Sequence, residues 1–223
     1  MSPLRITRQT LMDGTLRARL REYAQKHPEM RWRSDTEMAA LFDRTLKEHP
    51  AGEDLWVFGY GSLIWNPAFD YDEQSCALVR GWHRRFCLKL HMGRGTPETP
   101  GLMLALDKGG ACRGVAFRIK PTKIRQELAL IWQREMYGGA YNARWVKLEA
   151  GEKRMRAITF VINPRHPRYI KDLTTDEAAA LIASGRGDLG TCREYFDNTV
   201  AHLRQLGVND AALARIAAAL PSA

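Results

Sequence analysis

A glycine-rich turn and a single glutamate are the features of this chain whose residue types could do chemistry. The turn is Gly59-Tyr60-Gly61-Ser62, which follows a short apolar run that begins at Leu55. Because glycine has no Cβ, this backbone can adopt positive φ angles and lets a ligand come within hydrogen-bonding distance of consecutive N–H groups. Such nests of N–H groups bind carboxylates and phosphates alike. The turn therefore predicts an anion site, although a plain glycine-rich hairpin turn would show the same residues.

The glutamate is Glu135, which falls on the apolar side of a predicted helix over residues 122–136. The stripe on that side is formed by Ile124, Leu128, Ile131 and Trp132, and the next position on it is Glu135. Burial raises the pKa of a carboxyl group because it penalises the charged form, which suits a residue that acts first as a base and then as an acid. The alternative is a structural ion pair with Arg134 or Arg144.

Several other chemistries lack the residues they need. Ser62 is not in a G-x-S-x-G motif, and the turn lacks the lysine of a phosphate-binding P-loop. The six histidines show no zinc-binding spacing, and no two cysteines form a C-x-x-C pair. We therefore expect no metal site, and we expect reduced, mostly buried thiols at Cys76, Cys87, Cys112 and Cys192.

Composition and charge favour a globular protein with an anionic small-molecule ligand. The chain has 223 residues, 45% of them hydrophobic, and a net charge of +9. Much of that excess comes from arginines before residue 34, which alternate with acids and lack an RNA-stacking motif, so nucleic-acid binding is disfavoured. No apolar run is long enough to span a bilayer, and the first ten residues do not form a secretory signal. We expect a cytoplasmic protein.

Two helices are predicted before the turn, in an N-terminal extension. The first covers residues 7–26 and ends at His27-Pro28, because the residue before a proline disfavours helix. The second begins after Ser34, which has a capping-box glutamate three residues later, and ends before Pro50. We predict a helical extension over residues 1–50 that caps the outside of a single domain over residues 51–223.

The rest of the chain predicts an α+β fold. Residues 77–90 form a strand with Trp82, Phe86, Leu88 and Leu90 on one face, and residues 102–106 and 112–119 form two strands joined by a hairpin turn at 107–110. Two further strands are predicted at 143–148 and 155–162, and three C-terminal helices at 175–183, 192–206 and 210–220. Many antiparallel strands with few βαβ units indicate a mixed or antiparallel sheet, curled into a small β-barrel with helices around it.

The eleven residues from Val57 to Pro67, VFGYGSLIWNP, resemble the opening signature of the ChaC family, the glutathione-specific γ-glutamylcyclotransferases. The resemblance covers roughly residues 55–206. It continues through Gly81-Trp82-His83-Arg84-Arg85-Phe86, the loop 94–101, Trp132-Gln133-Arg134-Glu135-Met136, Asn163-Pro164 and Glu194-Tyr195.

The resemblance implies the γ-glutamylcyclotransferase-like barrel and a set of site residues. It implies that Glu135 is catalytic, although the loop after it is longer than in animal members of the family. It also implies a late tyrosine near the substrate, Tyr195. The substrate loop that it implies consists of Val57, Phe58, Gly59, Tyr60, Gly61, Ser62 and Leu63.

The implied reaction converts glutathione to 5-oxoproline and Cys-Gly without a metal, nucleotide or flavin. Glu135 would take a proton from the α-amine, which attacks the γ-carbonyl, and would return it to the leaving nitrogen. The donor to the carbonyl oxygen would be an N–H group of residues 60–63 or a tyrosine hydroxyl. Two alternatives stay open, namely the same cyclisation on other γ-glutamyl peptides or amines, and a non-catalytic γ-glutamyl-binding module.

Overall fold

A five-stranded β-barrel forms the centre of the molecule. The structure is a computed structural model that describes residues 5–28, 30 and 32–221. The strands lie in the order β1-β3-β2-β4-β5 and close into a barrel through parallel pairing of β1 with β5. The other main pairings are antiparallel. The predicted α+β barrel is therefore confirmed, with strands β1 (Leu55–Gly59), β2 (Glu73–Leu90), β3 (Gly101–Ile119), β4 (Tyr141–Ala150) and β5 (Lys153–Ile162).

Strand β1 is buried on both faces, which explains its unbroken apolar sequence. Val57 packs in a cluster with the helix that carries Glu135, whereas Phe58 packs in a second cluster with the C-terminal helices. Both side chains are fully buried. The strand is thus fixed from two sides, and the turn that follows it starts from a rigid position.

The predicted hairpin at residues 107–110 is wrong, because β3 continues through it. Asp107 and Lys108 pair with His83 and Trp82 on β2, and pairing resumes with Ala111 opposite Arg80. Gly109 and Gly110 have positive φ angles of 101° and 65°, and they lie opposite the single residue Gly81. The two glycines therefore form a β-bulge in one long strand and not a chain reversal.

A second irregularity changes the predicted face of β2. The register shifts between Phe86 and Leu88, so Phe86 packs in the cluster of the C-terminal helices while Leu88 packs in the opposite one. Strict alternation predicted these two residues on one face. The shift also leaves Cys87 and Leu88 both buried, which a regular strand with one solvent face would not allow.

The N-terminal helices differ from the prediction in one place. Residues 7–26 form two helices, α1 (Arg8–Met12) and α2 (Thr15–Lys26). They are separated at Gly14, where φ is 81°, and Asp13 accepts a hydrogen bond from the Thr15 N–H group. The second predicted helix is α3 (Asp35–Lys47), and Ser34 and Glu37 form its capping box as predicted.

Helix α4 (Ile124–Met136) follows a 3-10 turn over Pro121–Lys123, and the C-terminal helices lie close to their predicted bounds.

The four cysteines are all free. Three of them are buried, whereas Cys76 is exposed. The described residues contain no helix that could span a membrane.

The C-terminal helices are α5 (Thr175–Ser184), α6 (Cys192–Gln205) and α7 (Ala211–Ala219). The two-residue strands β6 (Arg186–Gly187) and β7 (Gly190–Thr191) lie between α5 and α6.

The N-terminal extension packs against α4 through apolar side chains and one partly buried ion pair. Leu11 and Leu16 form a buried cluster with Leu130 of α4. Arg8 donates two hydrogen bonds to the carboxylate of Glu127, at 2.5 and 2.8 Å. The division of the chain at residue 50 stays a prediction.

Arg8 should stabilise the fold through this pair, since the Glu127 side chain is only 2% exposed. We expect Arg8→Met to lower the free energy of unfolding by about 2 kcal/mol, because it leaves a buried carboxylate without its partner. Although burial alone raises the pKa of Glu127, hydrogen bonds from Arg8 and the Asp70 N–H group outweigh it, and the pKa is lowered. The contribution of this pair to the stability of the wild type should therefore be full above the ordinary carboxyl pKa and be lost as pH falls through the lowered one.

Urea unfolding across pH measures this effect. The double variant Arg8→Met/Glu127→Gln is the control, because it removes both charges and should recover part of the loss. Equal stability of Arg8→Met and the wild type at neutral pH would contradict the prediction.

Candidate active site

A cavity of about 700 Å³ lies where the end of β1, the end of α4 and the start of α6 meet. Cavities of this size commonly hold small-molecule ligands. Its wall includes the turn after β1, the last residues of α4 and the first turn of α6. Six of the nine predicted site residues meet there: Tyr60, Gly61, Ser62, Leu63, Glu135 and Tyr195.

Glu135 occupies the position that the helix pattern predicted. It continues the buried stripe of α4, and its side chain keeps only 13% exposure, towards the cavity. Burial raises the pKa of this carboxyl group, and the positive charge of Arg134 offsets part of the rise. Both predicted features are therefore present at once, a buried carboxylate and an ion pair, with 3.2 Å between Arg134 Nε and Glu135 Oε1.

Arg134 joins this carboxylate to the glycine-rich turn. Its Nη2 donates a hydrogen bond of 2.6 Å to Ser62 Oγ, and its Nη1 donates one of 2.6 Å to the Asn66 carbonyl. The Arg134 side chain is 7% exposed. Because one rigid planar group contacts both partners, the turn and Glu135 are held in a fixed relative position.

The glycines of the turn are needed for space and not for positive φ. Neither Gly59 nor Gly61 adopts the positive φ that glycine allows, and Gly61 has φ of −137°. A Cβ atom on Gly61 would lie 3.0 Å from the Tyr195 hydroxyl, and one on Gly59 would lie 3.0 Å from Leu63 Cβ. The absence of side chains thus lets the turn approach Tyr195 before it continues into the 3-10 turn Ser62–Ile64.

Three tyrosines line the cavity, and their hydroxyl groups are used differently. Tyr60 donates to the Phe160 carbonyl at 2.7 Å, and Tyr141 donates to the Leu104 carbonyl at 2.8 Å. Within the part of the chain that the structure describes, the Tyr195 hydroxyl donates no hydrogen bond. Tyr195 is therefore the cavity tyrosine whose O–H group is available to a ligand.

The three phenols stay protonated at neutral pH. Burial raises the pKa of Tyr60, of Tyr141 and of Tyr195 well above the ordinary value, and the nearby charge of Glu135 adds to the rise in each case. A protonated hydroxyl can donate to a carbonyl oxygen as negative charge develops on it. The described residues hold no cluster of three or more metal-ligating side chains.

Val57, Phe58 and Gly59 are not part of the cavity wall. The side chains of Val57 and Phe58 are fully buried in the core. They therefore fix the strand that leads into the turn. Direct contact of these three residues with a substrate stays a prediction.

Some cavity residues were not singled out from the sequence. Tyr141 and Phe160 come from strands β4 and β5, and Met103 and Leu104 come from β3. The wall also includes Arg5, Ile6 and Thr7 from the N-terminal extension. Tyr141 lies in the loop that follows the family motif around Glu135. In contrast, no local sequence pattern links residues 5–7 with the turn.

The family follows from a match that spans most of the chain. The family model described as "ChaC-like protein" matches residues 55–222. The chain belongs to the ChaC family. The matched segment contains both the turn and Glu135, and the resemblance found in the sequence is confirmed.

Two proteins with similar sequences share one name. A protein of Escherichia coli strain K12 named "Glutathione-specific gamma-glutamylcyclotransferase" is 43% identical over 178 residues, which cover 79% of this chain and 77% of that protein. A Schizosaccharomyces pombe protein of the same name is 30% identical, over 68% of this chain and 84% of its own length.

A solved structure supports the fold of this ChaC protein. The crystal structure of a yeast gamma-glutamyl cyclotransferase specific to glutathione matches with a TM-score of 0.67 and covers 75% of this chain and 97% of the yeast chain. At 20% sequence identity, this likeness bears on the fold alone.

Proposed function

We propose that the protein is a γ-glutamylcyclotransferase that cleaves glutathione to 5-oxoproline and Cys-Gly. The observation that carries the proposal is the placement of Glu135, a carboxylate of raised pKa that lines a cavity beside the glycine-rich turn. The names of the Escherichia coli and Schizosaccharomyces pombe relatives support glutathione as the substrate. The buried free thiols support a reducing compartment, the cytoplasm.

In this proposal the cavity binds the glutamyl end of the substrate. The α-carboxylate of the glutamyl group accepts hydrogen bonds from N–H groups of residues 60–63, a type of turn that binds anions. The α-amine then lies near Glu135. Because the amine and the γ-carbonyl belong to the same molecule, the site has mainly to hold the chain in the folded conformation that brings them together.

Glu135 acts as a base and then as an acid. The α-amine arrives as an ammonium group and gives a proton to the Glu135 carboxylate. Its lone pair then attacks the γ-carbonyl carbon, and a five-membered lactam forms. The bond to the cysteine nitrogen breaks as Glu135 returns this proton to that nitrogen, and the second proton, which the attacking nitrogen loses as the lactam forms, completes the ammonium group of Cys-Gly. A carboxyl pKa raised by burial fits both steps.

Tyr195 stabilises the negative charge that develops on the γ-carbonyl oxygen. Among the two kinds of donor considered from the sequence, we favour this hydroxyl, since Tyr60 and Tyr141 already donate to backbone carbonyls. Its ring is held by edge contacts with Trp65 and Phe86, at centroid distances of 6.1 and 6.0 Å. A donor fixed before the reaction begins costs no reorganisation during it.

Release of 5-oxoproline tests the proposed function. The purified protein is incubated separately with glutathione, γ-Glu-Ala and γ-Glu-ε-Lys, and 5-oxoproline is measured. We expect release from glutathione. Release from the other two peptides alone would assign the cyclisation to a different leaving group, and release from none would leave only the γ-glutamyl-binding module.

Arg134 should set the pH at which the enzyme loses activity in acid. Its charge lowers the pKa of Glu135 against the larger effect of burial, so Arg134→Gln should raise that pKa further. Because the base must be deprotonated to act, the acidic limb of kcat/KM against pH should move to higher pH, by roughly one unit for a nearby charge.

The matched control is Arg94→Gln, which removes a cavity-lining arginine whose carboxylate partner is Glu194. It should leave the position of the acidic limb unchanged. A limb that moves equally in both variants, or only in Arg94→Gln, would contradict the role given to Arg134.

A further inference from the structure

The N-terminal extension contributes a cation to the rim of the cavity. Arg5, Ile6 and Thr7 line it, although the family match begins only at residue 55. The Arg5 side chain is exposed at this rim. The residues that close this part of the cavity therefore come from a segment outside the matched family region.

Hydrogen bonds to Asn66 and within the N-terminal extension hold residues 5 and 6 in place. The Asn66 side chain donates a hydrogen bond of 2.8 Å to the Ile6 carbonyl, and Thr10 Oγ1 donates one of 2.9 Å to the Arg5 carbonyl. Arg8 then anchors the following turn to Glu127. Since Asn66 also accepts a hydrogen bond from Arg134, the segment is linked to the group that positions Glu135.

Arg5 is the cavity arginine whose guanidinium group is available. Arg134 contacts Ser62, Asn66 and Glu135. The Nη1 of Arg94 donates to the Thr191 carbonyl at 2.7 Å and to Glu194 Oε2 at 3.0 Å. Within the described ranges, the Arg5 guanidinium group makes no hydrogen bond or ion pair, so it can bind an anionic group of a ligand.

Glutathione, the proposed substrate, has an anionic group at the end opposite its glutamyl residue. Glutathione carries a second carboxylate on its glycine, two residues beyond the γ-carbonyl, and two extended residues span roughly 7 Å. If the glutamyl group lies at buried Glu135, the leaving dipeptide extends towards the rim. A guanidinium group matches a carboxylate with two parallel hydrogen bonds.

We propose that Arg5 binds the terminal carboxylate of the leaving dipeptide, so that the N-terminal extension selects γ-glutamyl peptides with a free C-terminal carboxylate. The inference rests on the proposed function and adds a determinant of leaving-group specificity to it. Because the bond forms in the ground state and in the transition state alike, it should affect KM more than kcat.

The test compares glutathione with its glycine ethyl ester, which lacks the second negative charge. For glutathione, Arg5→Ala should lower kcat/KM by roughly five- to tenfold at low salt, mainly through KM, because an exposed pair is weakened by screening. For the ester, the same variant should act like the wild type. Arg5→Glu should reverse the preference between the two substrates.

Arg44→Ala is the matched control, because Arg44 is an exposed arginine of the same extension that does not line the cavity. It should change neither substrate's kinetics, and all variants should keep the wild-type melting temperature. Equal loss on glutathione and its ester, or no loss on either, would overturn the role of Arg5 while 5-oxoproline release by the wild type upholds the enzyme. A wild type that releases no 5-oxoproline from either substrate would overturn the proposed function itself.

Discussion

Replacing Glu135 by glutamine should lower kcat for 5-oxoproline formation by between about 10² and 10⁴, the range that positioned proton transfer contributes. The amide has nearly the shape of the carboxyl group but cannot take a proton from the α-ammonium group. Folding and glutathione binding should change little, since Glu135 is paired with Arg134 alone among the described residues. Steady-state kinetics, a melting curve and calorimetric titration with glutathione measure the three quantities.

Glu194→Gln is the matched control for this experiment. Glu194 also lines the cavity and is paired with an arginine, but its side chain is 57% exposed. Its loss should change kcat by no more than a few-fold. Equal effects of the two substitutions would mean that the cavity needs negative charge in general and not a base at position 135.

The second large effect is expected at Tyr195. Tyr195→Phe should lower kcat by about 10²-fold, as removal of one donor from an oxyanion site does, with a smaller change in KM. The structural reason is that the Tyr195 hydroxyl lies beside Gly61, at 3.0 Å from the position of a Cβ atom there, and makes no hydrogen bond within the described ranges. The measurement is kcat and KM for glutathione at a pH above the acidic limb.

Tyr141→Phe separates this role from the loss of any cavity hydroxyl. That hydroxyl donates to the Leu104 carbonyl, so its removal should cost about 1 kcal/mol of stability and much less activity. If Tyr141→Phe lowers kcat as much as Tyr195→Phe, the assignment of the donor is wrong.

The parts of the site that depend on local pattern could be predicted from the sequence. The helix period placed Glu135 on the buried side of α4, and the apolar run from Leu55 predicted a strand that ends in the turn. Both features are set by neighbours within a few residues. The family signature then added Tyr195, which lies 60 residues along the chain from Glu135 and has no local pattern of its own.

The wrong predictions for β2 and β3 arise where one sequence pattern is compatible with two structures. Two adjacent glycines suit a hairpin turn and a β-bulge equally, and only the partner strand decides between them. At residues 107–110, β2 is long enough to keep pairing, so the chain continues. The register shift beside Phe86 is of the same kind, because it depends on the alignment of two strands and not on the residues of one.

No local sequence pattern predicts contacts between residues that are far apart along the chain. Arg8 and Glu127 are separated by 119 positions, and the Asn66 side chain contacts Ile6 across 60. Neither the helix period of α4 nor the charge of the extension indicates which groups will meet. For this reason the sequence described the extension as an outer cap, whereas residues 5–7 line the cavity.

Substrate binding should place the α-amine of a γ-glutamyl group at Glu135 and its α-carboxylate on the turn. The decisive measurement is a crystal structure of the Glu135→Gln variant with glutathione. We expect the amine nitrogen within about 3.2 Å of the side chain at position 135 and the α-carboxylate on N–H groups of residues 60–63. Glutathione bound with its amine away from position 135, or outside this cavity, would show that Glu135 is not the base.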